Sequence, residues 1–188
     1  MTDIRPLVPE DREDWLPLWR AYLEFYEHEL SSELTELTFA RLADPEFAAW
    51  GAMARDAGGR AIGFVNWLTH PSTWALGTYC YLEDLFVAPD VRGSGTGRAL
   101  IDTVATWARE HDCAQVYWLT AESNATARGL YDRVADRTGF IHYAIEFGEL
   151  AAVGRGSVCE HALDRCTLAR EVGLIPRASS SVGRASDF

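Results

Sequence analysis

The stretch Glu83-Asp84-Leu85-Phe86-Val87-Ala88-Pro89-Asp90-Val91-Arg92-Gly93-Ser94-Gly95-Thr96-Gly97-Arg98 decides how the rest of the chain is read. Its first part closes a run rich in aromatic and β-branched residues, Thr78–Val87, which reads as a strand. Pro89 and Gly93 break that strand. The glycines at 93, 95 and 97 permit positive φ and close approach of another group to the backbone. A helix follows to His111, with Leu100, Ile101, Val104 and Ala108 on its apolar face. Strand, glycine turn and helix start together bring several amide N–H groups and the positive end of a helix dipole to one spot, which suits a pyrophosphate. Arg92 and Arg98 add charge at its edges. No Gly-Lys-Ser/Thr follows, so this is not a Walker loop, and Leu100 stands where a dinucleotide fingerprint has its third glycine.

Working outward, Asp3–Leu7 reads as a strand closed by Pro9. Trp15, Leu18, Trp19, Tyr22 and Tyr26 then recur at helical spacing, and Pro17 requires that this helix start close before it or kink. A second helix is predicted over Glu33–Ala43, ending before Pro45. Residues 48–56 and 61–70 read as strands around the hairpin signal Gly58-Gly59. Beyond the glycine turn come a short strand, Gln115–Thr120, a helix from the capping pair Ser123-Asn124 to Asp136, and a terminal strand, Phe140–Phe147. The order predicts a mixed α/β sheet domain with at least one right-handed crossover around the glycine turn. After Gly148 the pattern fails: residues 1–148 form the domain, and 149–188 read as a poorly ordered tail, Ser/Arg/Gly-rich from 174 onward. There are no internal repeats.

The 188 residues are 48% hydrophobic and 12% aromatic, enough for a packed core. No apolar run approaches the ~20 residues that span a bilayer, and Met1-Thr2-Asp3-Ile4-Arg5 is no signal peptide, so a cytoplasmic protein without membrane association is expected. The four cysteines form no evident disulfide framework. Cys80 and Cys113 read as small buried residues, while Cys159-x-His161-x4-Cys166 lacks a nearby fourth ligand, so no metal is expected. The histidines at 28, 70, 111 and 142 show no partnered spacing. The net charge is −11 and lysine is absent, so all 17 cations are arginine. The first 46 residues hold four arginines against twelve acids, a net −8. Such acidity argues against a nucleic-acid partner, and it reads either as a solvated helical face or as a field that attracts a cation.

Arg92-x-x-Gly95-x-Gly97, preceded by an apolar strand and followed by Ala99-Leu100-Ile101, resembles the acetyl-CoA-binding motif of the GNAT N-acetyltransferases. The resemblance implies a GNAT-type mixed, mostly antiparallel sheet with flanking helices, with acetyl-CoA as co-substrate. It implies Phe86 and Val87 as backbone partners of the pantetheine arm, with Arg92, Gly93, Ser94, Gly95, Thr96, Gly97 and Arg98 at the pyrophosphate. Asn124-Ala125-Thr126-Ala127-Arg128-Gly129-Leu130-Tyr131 resembles the family's helix carrying the asparagine and tyrosine of the CoA-thiol site. Seven residues are nearly two turns, so Asn124 and Tyr131 share a helix face about 10 Å apart along the axis. On the residues alone, Asn124 reads first as a helix cap and Tyr131 as a core aromatic; it is the neighbouring glycine turn that favours the thiol-site reading. The resemblance covers roughly residues 3–147, and Tyr81–Val87 looks especially like the diamine (spermidine/spermine) acetyltransferase branch. A homodimer is a further implication of the family.

Acetyl transfer to an amine needs a neutral nitrogen, and a lysine-like amine of pKa ~10.4 is ~3.4 units short of that at pH 7, roughly 4–5 kcal/mol. A carboxylate can relieve that deficit, and a tyrosine hydroxyl can protonate the leaving thiolate. Glu83 and Asp84 are both candidate bases; the resemblance assigns that role to Glu83, the acid to Tyr131 and Asn124 to the cofactor. A regular strand turns Glu83 and Asp84 to opposite faces, so Asp84 serves as a substrate-amine anchor only if the strand bulges. Glu24, Glu27 and Glu29, with Tyr22 and Tyr26, are candidate amine contacts at the end of the first helix. Glu27 is the choice among them; on helical spacing it shares a face with Glu24, and Glu29 points away. The expected function is acetyl-CoA-dependent N-acetylation of a primary amine on a small cationic molecule. The alternatives are a protein or peptide acetyltransferase acting on lysine or N-terminal amines, and a non-catalytic acyl-CoA-binding module.

Overall fold

The computed structural model describes residues 2–145, and the chain divides after Thr138 into a unit Met1–Thr138 and a second beginning at Gly139. In the first unit the elements run β1 (Asp3–Pro6), α1 (Arg12–Phe25), α2 (Ser32–Leu42), β2 (Ala49–Arg55), β3 (Ala61–Pro71), β4 (Thr78–Val87), α3 (Thr96–Glu110), β5 (Gln115–Tyr117) and α4 (Ala125–Val134). The sheet order is β1-β2-β3-β4-β5. The first four strands are antiparallel, and β5 runs parallel to β4, joined to it through α3. This is the mixed, mostly antiparallel sheet with flanking helices expected of the family. No helix among the described residues is long and apolar enough to cross a membrane.

Each face of the sheet has its own core. On one side Leu7, Trp15, Leu18, Trp19, Phe39, Met53, Phe64 and Phe86 pack together beneath α1 and α2. On the other, α3 buries Leu100, Ile101, Val104 and Ala108 against Ala52, Val65, Trp67, Cys80 and Leu82. The aromatic stripe of α1 forms a column: Trp15 stacks on Trp19 at 5.0 Å, Trp19 on Tyr22 at 5.4 Å, and Tyr22 meets Tyr26 edge-on at 5.0 Å. Pro17 lies inside α1 as its sixth residue, so it supplies no N–H to the Glu13 carbonyl; a short 3-10 turn at Pro9–Asp11 precedes the helix.

The sheet carries one irregularity that matters for the site. Between β3 and β4 the register runs Asn66↔Asp84 and then Trp67↔Leu82, so Glu83 has no partner of its own. This is a bulge in β4, and one extra residue exchanges the two faces of a strand. Upstream, Cys80 and Leu82 lie in the α3 core. Downstream, Leu85 and Val87 pack on that core while Phe86 joins the α1 side.

Asp11, 2% exposed, ties α1 to the sheet. It accepts from Arg5 Nη1 at 3.1 Å and Nη2 at 2.7 Å, from Arg55 Nη2 at 2.9 Å and from the Val8 N–H at 3.1 Å. Burial alone would push this carboxyl up; the Val8 amide, Arg55 and Arg5 outweigh it and hold Asp11 below its usual range.

Three expectations need correction. Residues 140–145 form no strand, and Phe140, Ile141, Tyr143 and Ile145 are 72–83% exposed; alternation alone makes no strand without a partner ladder. The rest of that segment, and the tail at 149–188 with Cys159, His161 and Cys166, lie outside the described residues. β5 stops at Tyr117, since it pairs only with Tyr79–Tyr81, and Trp118 instead packs edge-on against Tyr131 at 5.3 Å. Cys80 is buried, which pushes its thiol up to about 12, but Cys113 is only partly buried and sits 3.4 Å from Thr78 Oγ1.

Asp11→Asn is expected to cost about 2–4 kcal/mol in denaturant unfolding at pH 7, because two guanidinium groups lose a buried partner. A carboxyl held below its unfolded value stabilises above that value and ceases to as the pH falls through its native one. The difference between wild type and variant should therefore shrink as the pH is taken below 3.8.

Candidate active site

The glycine turn follows the sequence reading at two of its three glycines; Gly97 has no positive φ and lies in the first turn of α3, where a Cβ would meet Leu130 Cδ2 at 3.2 Å. Gly93 and Gly95 have φ of 83° and 92°, and a Cβ on either would meet nothing within 4 Å, so the space over the turn is open. Gly95 is the N-cap of α3, and the Ala99 N–H is the first to close a helical bond, to Gly95 O at 3.0 Å. The N–H groups of Thr96, Gly97 and Arg98 are thereby left as the open donors of the first turn. Thr96 is 2% exposed and its hydroxyl meets Ser94 Oγ at 2.9 Å, which fixes the turn from inside. The donor set and the open cradle fit a pyrophosphate. Arg98 is exposed and pairs loosely with Asp102, Nε to Oδ2 at 3.5 Å.

Where β4 reaches the turn, its two candidate backbone partners differ. The Ala88 N–H donates to Ile62 O on β3, so alternation turns the N–H and C=O of Val87 away from β3. Phe86 lies opposite Phe64 and is 4% exposed, its ring in the core beneath α1. Arg92 Nε donates to Val87 O at 3.1 Å.

The bulge brings Glu83 and Asp84 together on the α1 side. Tyr22 donates to Asp84 Oδ1 at 2.6 Å and Asn66 Nδ2 to Oδ2 at 3.0 Å. Burial pushes Asp84 up, although Tyr22 and Asn66 pull the other way. Glu83 is raised by its own desolvation and then by the neighbouring Asp84. Among the described residues neither carboxylate has an arginine in ion-pair range. Tyrosines surround them instead. Burial raises Tyr22 and Tyr26, with Asp84 adding to both, and raises Tyr81, with Glu83 adding. All three are therefore hydroxyl donors at neutral pH.

Tyr131 packs beside Trp118 against the α3 core, and burial, with Tyr26 adding, pushes its phenol up to about 12. It keeps its proton across the physiological range. Asn124 caps α4, its Oδ1 accepting from the Ala127 N–H at 3.3 Å, and its Nδ2 reaches Thr120 Oγ1 at 3.4 Å. The structural role left open for Asn124 by the sequence is thus filled.

Glu27 stands elsewhere. α1 ends at Phe25, and Glu27 has a left-handed φ of 52°, so helical spacing does not govern it. Glu24, Glu27 and Glu29 all line one surface depression of about 630 Å³ with Arg20, His28 and Leu30, against the expectation that Glu29 points away. Neither β4 carboxylate lines it. Two partners of the site were not legible: Asn66, a buried polar residue in an apolar strand, and His70. His70 Nδ1 lies 2.9 Å from Pro71 O, which can only accept, so Nδ1 carries the proton and Tyr117 donates to Nε2 at 3.0 Å. Tyr117 in turn stacks on Tyr81 at 5.0 Å.

Comparison with known proteins agrees with this geometry. Residues 13–136 match the model of the acetyltransferase (GNAT) family. A D-amino-acid N-acetyltransferase, HPA3 of Saccharomyces cerevisiae, is 38% identical over 141 residues, 74% of this chain and 88% of that protein. A thialysine N-epsilon-acetyltransferase of Caenorhabditis elegans is 36% identical over 63 residues, 34% of this chain and 39% of that one. In structure, an aminoglycoside N-acetyltransferase in complex with CoA superimposes with a TM-score of 0.67 at 18% identity, over 78% of this chain and 95% of that one, a likeness of fold. The chain belongs to the GNAT family and is an acetyl-CoA-dependent N-acetyltransferase.

Proposed function

We propose that the acceptor is a primary amine on a small cationic molecule, that Glu83 takes the amine proton, that Asp84 anchors the amine, and that Tyr131 is the proton donor to sulfur. The observation that carries this is the β4 bulge, which sets two carboxylates side by side with no arginine among the described residues in ion-pair range. Acetyl-CoA, when bound, supplies a thioester whose carbonyl carbon the amine attacks and whose sulfur departs. The open amides of Thr96, Gly97 and Arg98 would hold its pyrophosphate, and the Val87 N–H its pantetheine arm. An ammonium entering beside Asp84 offsets the desolvation of a buried carboxylate, so Asp84 favours a cation over a neutral ligand. Glu83, raised above an ordinary carboxylate, is correspondingly the better proton acceptor. Tyr131, still protonated near pH 7, has a proton to give. The net −8 of the first 46 residues draws a cationic acceptor toward this side.

A second acceptor class, the α-amine of an amino acid, is favoured by the likeness to the D-amino-acid N-acetyltransferase. It requires a cation for the carboxylate, and Arg20, in the depression with Glu24 and Glu27, is a candidate. CoA release measured with acetyl-CoA across a panel separates these: diamines and lysine-like amines as the best acceptors are expected. Turnover confined to D-amino acids would move the assignment to the second class, turnover confined to peptides would overturn both, and tight CoA binding without turnover on any amine would make the protein a binding module.

Glu83→Gln should lower kcat/KM by about a hundredfold near neutral pH, the loss diminishing toward the acceptor's own pKa. An unchanged profile between about pH 6 and pH 9 would reject Glu83 as base. Asp84→Asn should lose activity yet melt higher than wild type at pH 8. A carboxyl raised above its unfolded value destabilises the fold while ionised, so this gain should shrink as the pH falls and the wild-type Asp84 takes up its proton.

A further inference from the structure

Arg92 is held from three directions. Its Nε donates to Val87 O at 3.1 Å, and its guanidinium carbon lies 5.7 Å from the ring centroid of Phe25 and 5.9 Å from that of Phe86. Phe86 is fixed in the core beneath α1. Phe25, the last residue of α1, is 49% exposed and meets Tyr26 edge-on at 5.1 Å. A phenylalanine left half in water at a helix end gains only part of its burial energy, which leaves its ring contacts with Tyr26 and with the Arg92 cation as its specific interactions. Among the described residues no carboxylate stands within ion-pair distance of Arg92, in contrast to Arg98 with Asp102.

An arginine bonded through Nε, with aromatic rings at its flanks, still presents Nη1 and Nη2 as a two-pronged edge, the geometry that grips a phosphate. Arg92 immediately precedes the glycine turn, and no carboxylate among the described residues compensates its charge. Fixing its rotamer before the ligand arrives removes part of the ordering cost of binding.

We infer that Phe25 is a positioning residue for the co-substrate: together with Phe86 it holds the Arg92 guanidinium as a preformed clamp for the pyrophosphate of acetyl-CoA. The inference rests on the glycine turn being the pyrophosphate cradle. It also narrows the role of Val87. The carbonyl of Val87 already accepts from Arg92, so its N–H is the group available to the pantetheine arm. Finally, α1 becomes common to both halves of the reaction, with Tyr22 against Asp84 and, three residues on, Phe25 against Arg92.

Calorimetric titration of coenzyme A into the full-length protein, with no acceptor present, tests this. Arg92→Gln should weaken binding by about tenfold. Phe25→Leu should weaken it by about threefold to fivefold, and Phe25→Trp, which offers the better ring to a cation, should bind at least as tightly as wild type. In the Arg92→Gln background Phe25→Leu should cost nothing further, since Phe25 acts only through that guanidinium. Phe25→Met, as long but ringless, replaces the leucine variant if that one fails to fold. Wild-type affinity in Phe25→Leu, or the same loss with and without Arg92, overturns the role of Phe25 while leaving the cradle intact. Wild-type affinity in Arg92→Gln overturns the clamp and removes Arg92 from the cradle.

Discussion

β4 carries one residue more than its partner strand between Asn66 and Trp67, and because side chains alternate with a period of two, that insertion exchanges the faces of the strand. The α3 core receives Cys80 and Leu82 from before it and Leu85 and Val87 from after it. Uninterrupted alternation would put Asp84 and Phe86 beside Cys80 and Leu82, burying a carboxylate in hydrocarbon and withdrawing Phe86 from beneath Trp19 and Tyr22. The bulge thus satisfies two cores and leaves the only acids of β4 on the side where α1 supplies hydroxyl groups.

Asp11 and Asp84 show how differently one residue type is treated in one fold. Asp11 is buried against two arginines and a backbone amide, and its charge is stabilised. Asp84 is offered a phenol and an amide, both neutral, and its charge is disfavoured. The first arrangement locks α1 to β1 and β2. The second leaves a negative charge short of a partner, which is what a site for a cation requires. Among the described residues, arginine meets the structural carboxylate and does not reach the other.

Much of this was readable from local pattern. The tryptophans of α1, the apolar face of α3, and the glycines at 93 and 95 each obey a short-range rule, and each element stands where its rule predicts. The bulge was legible only as a requirement, since nothing in Glu83-Asp84 distinguishes a regular strand from an interrupted one; the register is set by the cores on either side. Contacts between residues far apart in the chain, such as Tyr22 with Asp84, His70 with Tyr117 and Arg92 with Phe25, leave no spacing to detect. Residues 140–145 form no strand because alternation records the capacity to be one and says nothing of a partner. Glu27 misled because α1 was read past its end.

The ion pairs that fasten α1 to the sheet, Arg5 and Arg55 on Asp11, are made by guanidinium groups, and the chain contains no lysine at all. A guanidinium stays protonated and is not a nucleophile, whereas a lysine side chain in a protein that handles an activated acetyl thioester is itself an acetylatable amine. No lysine ε-amine of this chain competes with the acceptor for the acetyl group, and none of the ion pairs among the described residues rests on an amine that acetylation could neutralise. Its ion-pair framework offers that reagent no amine.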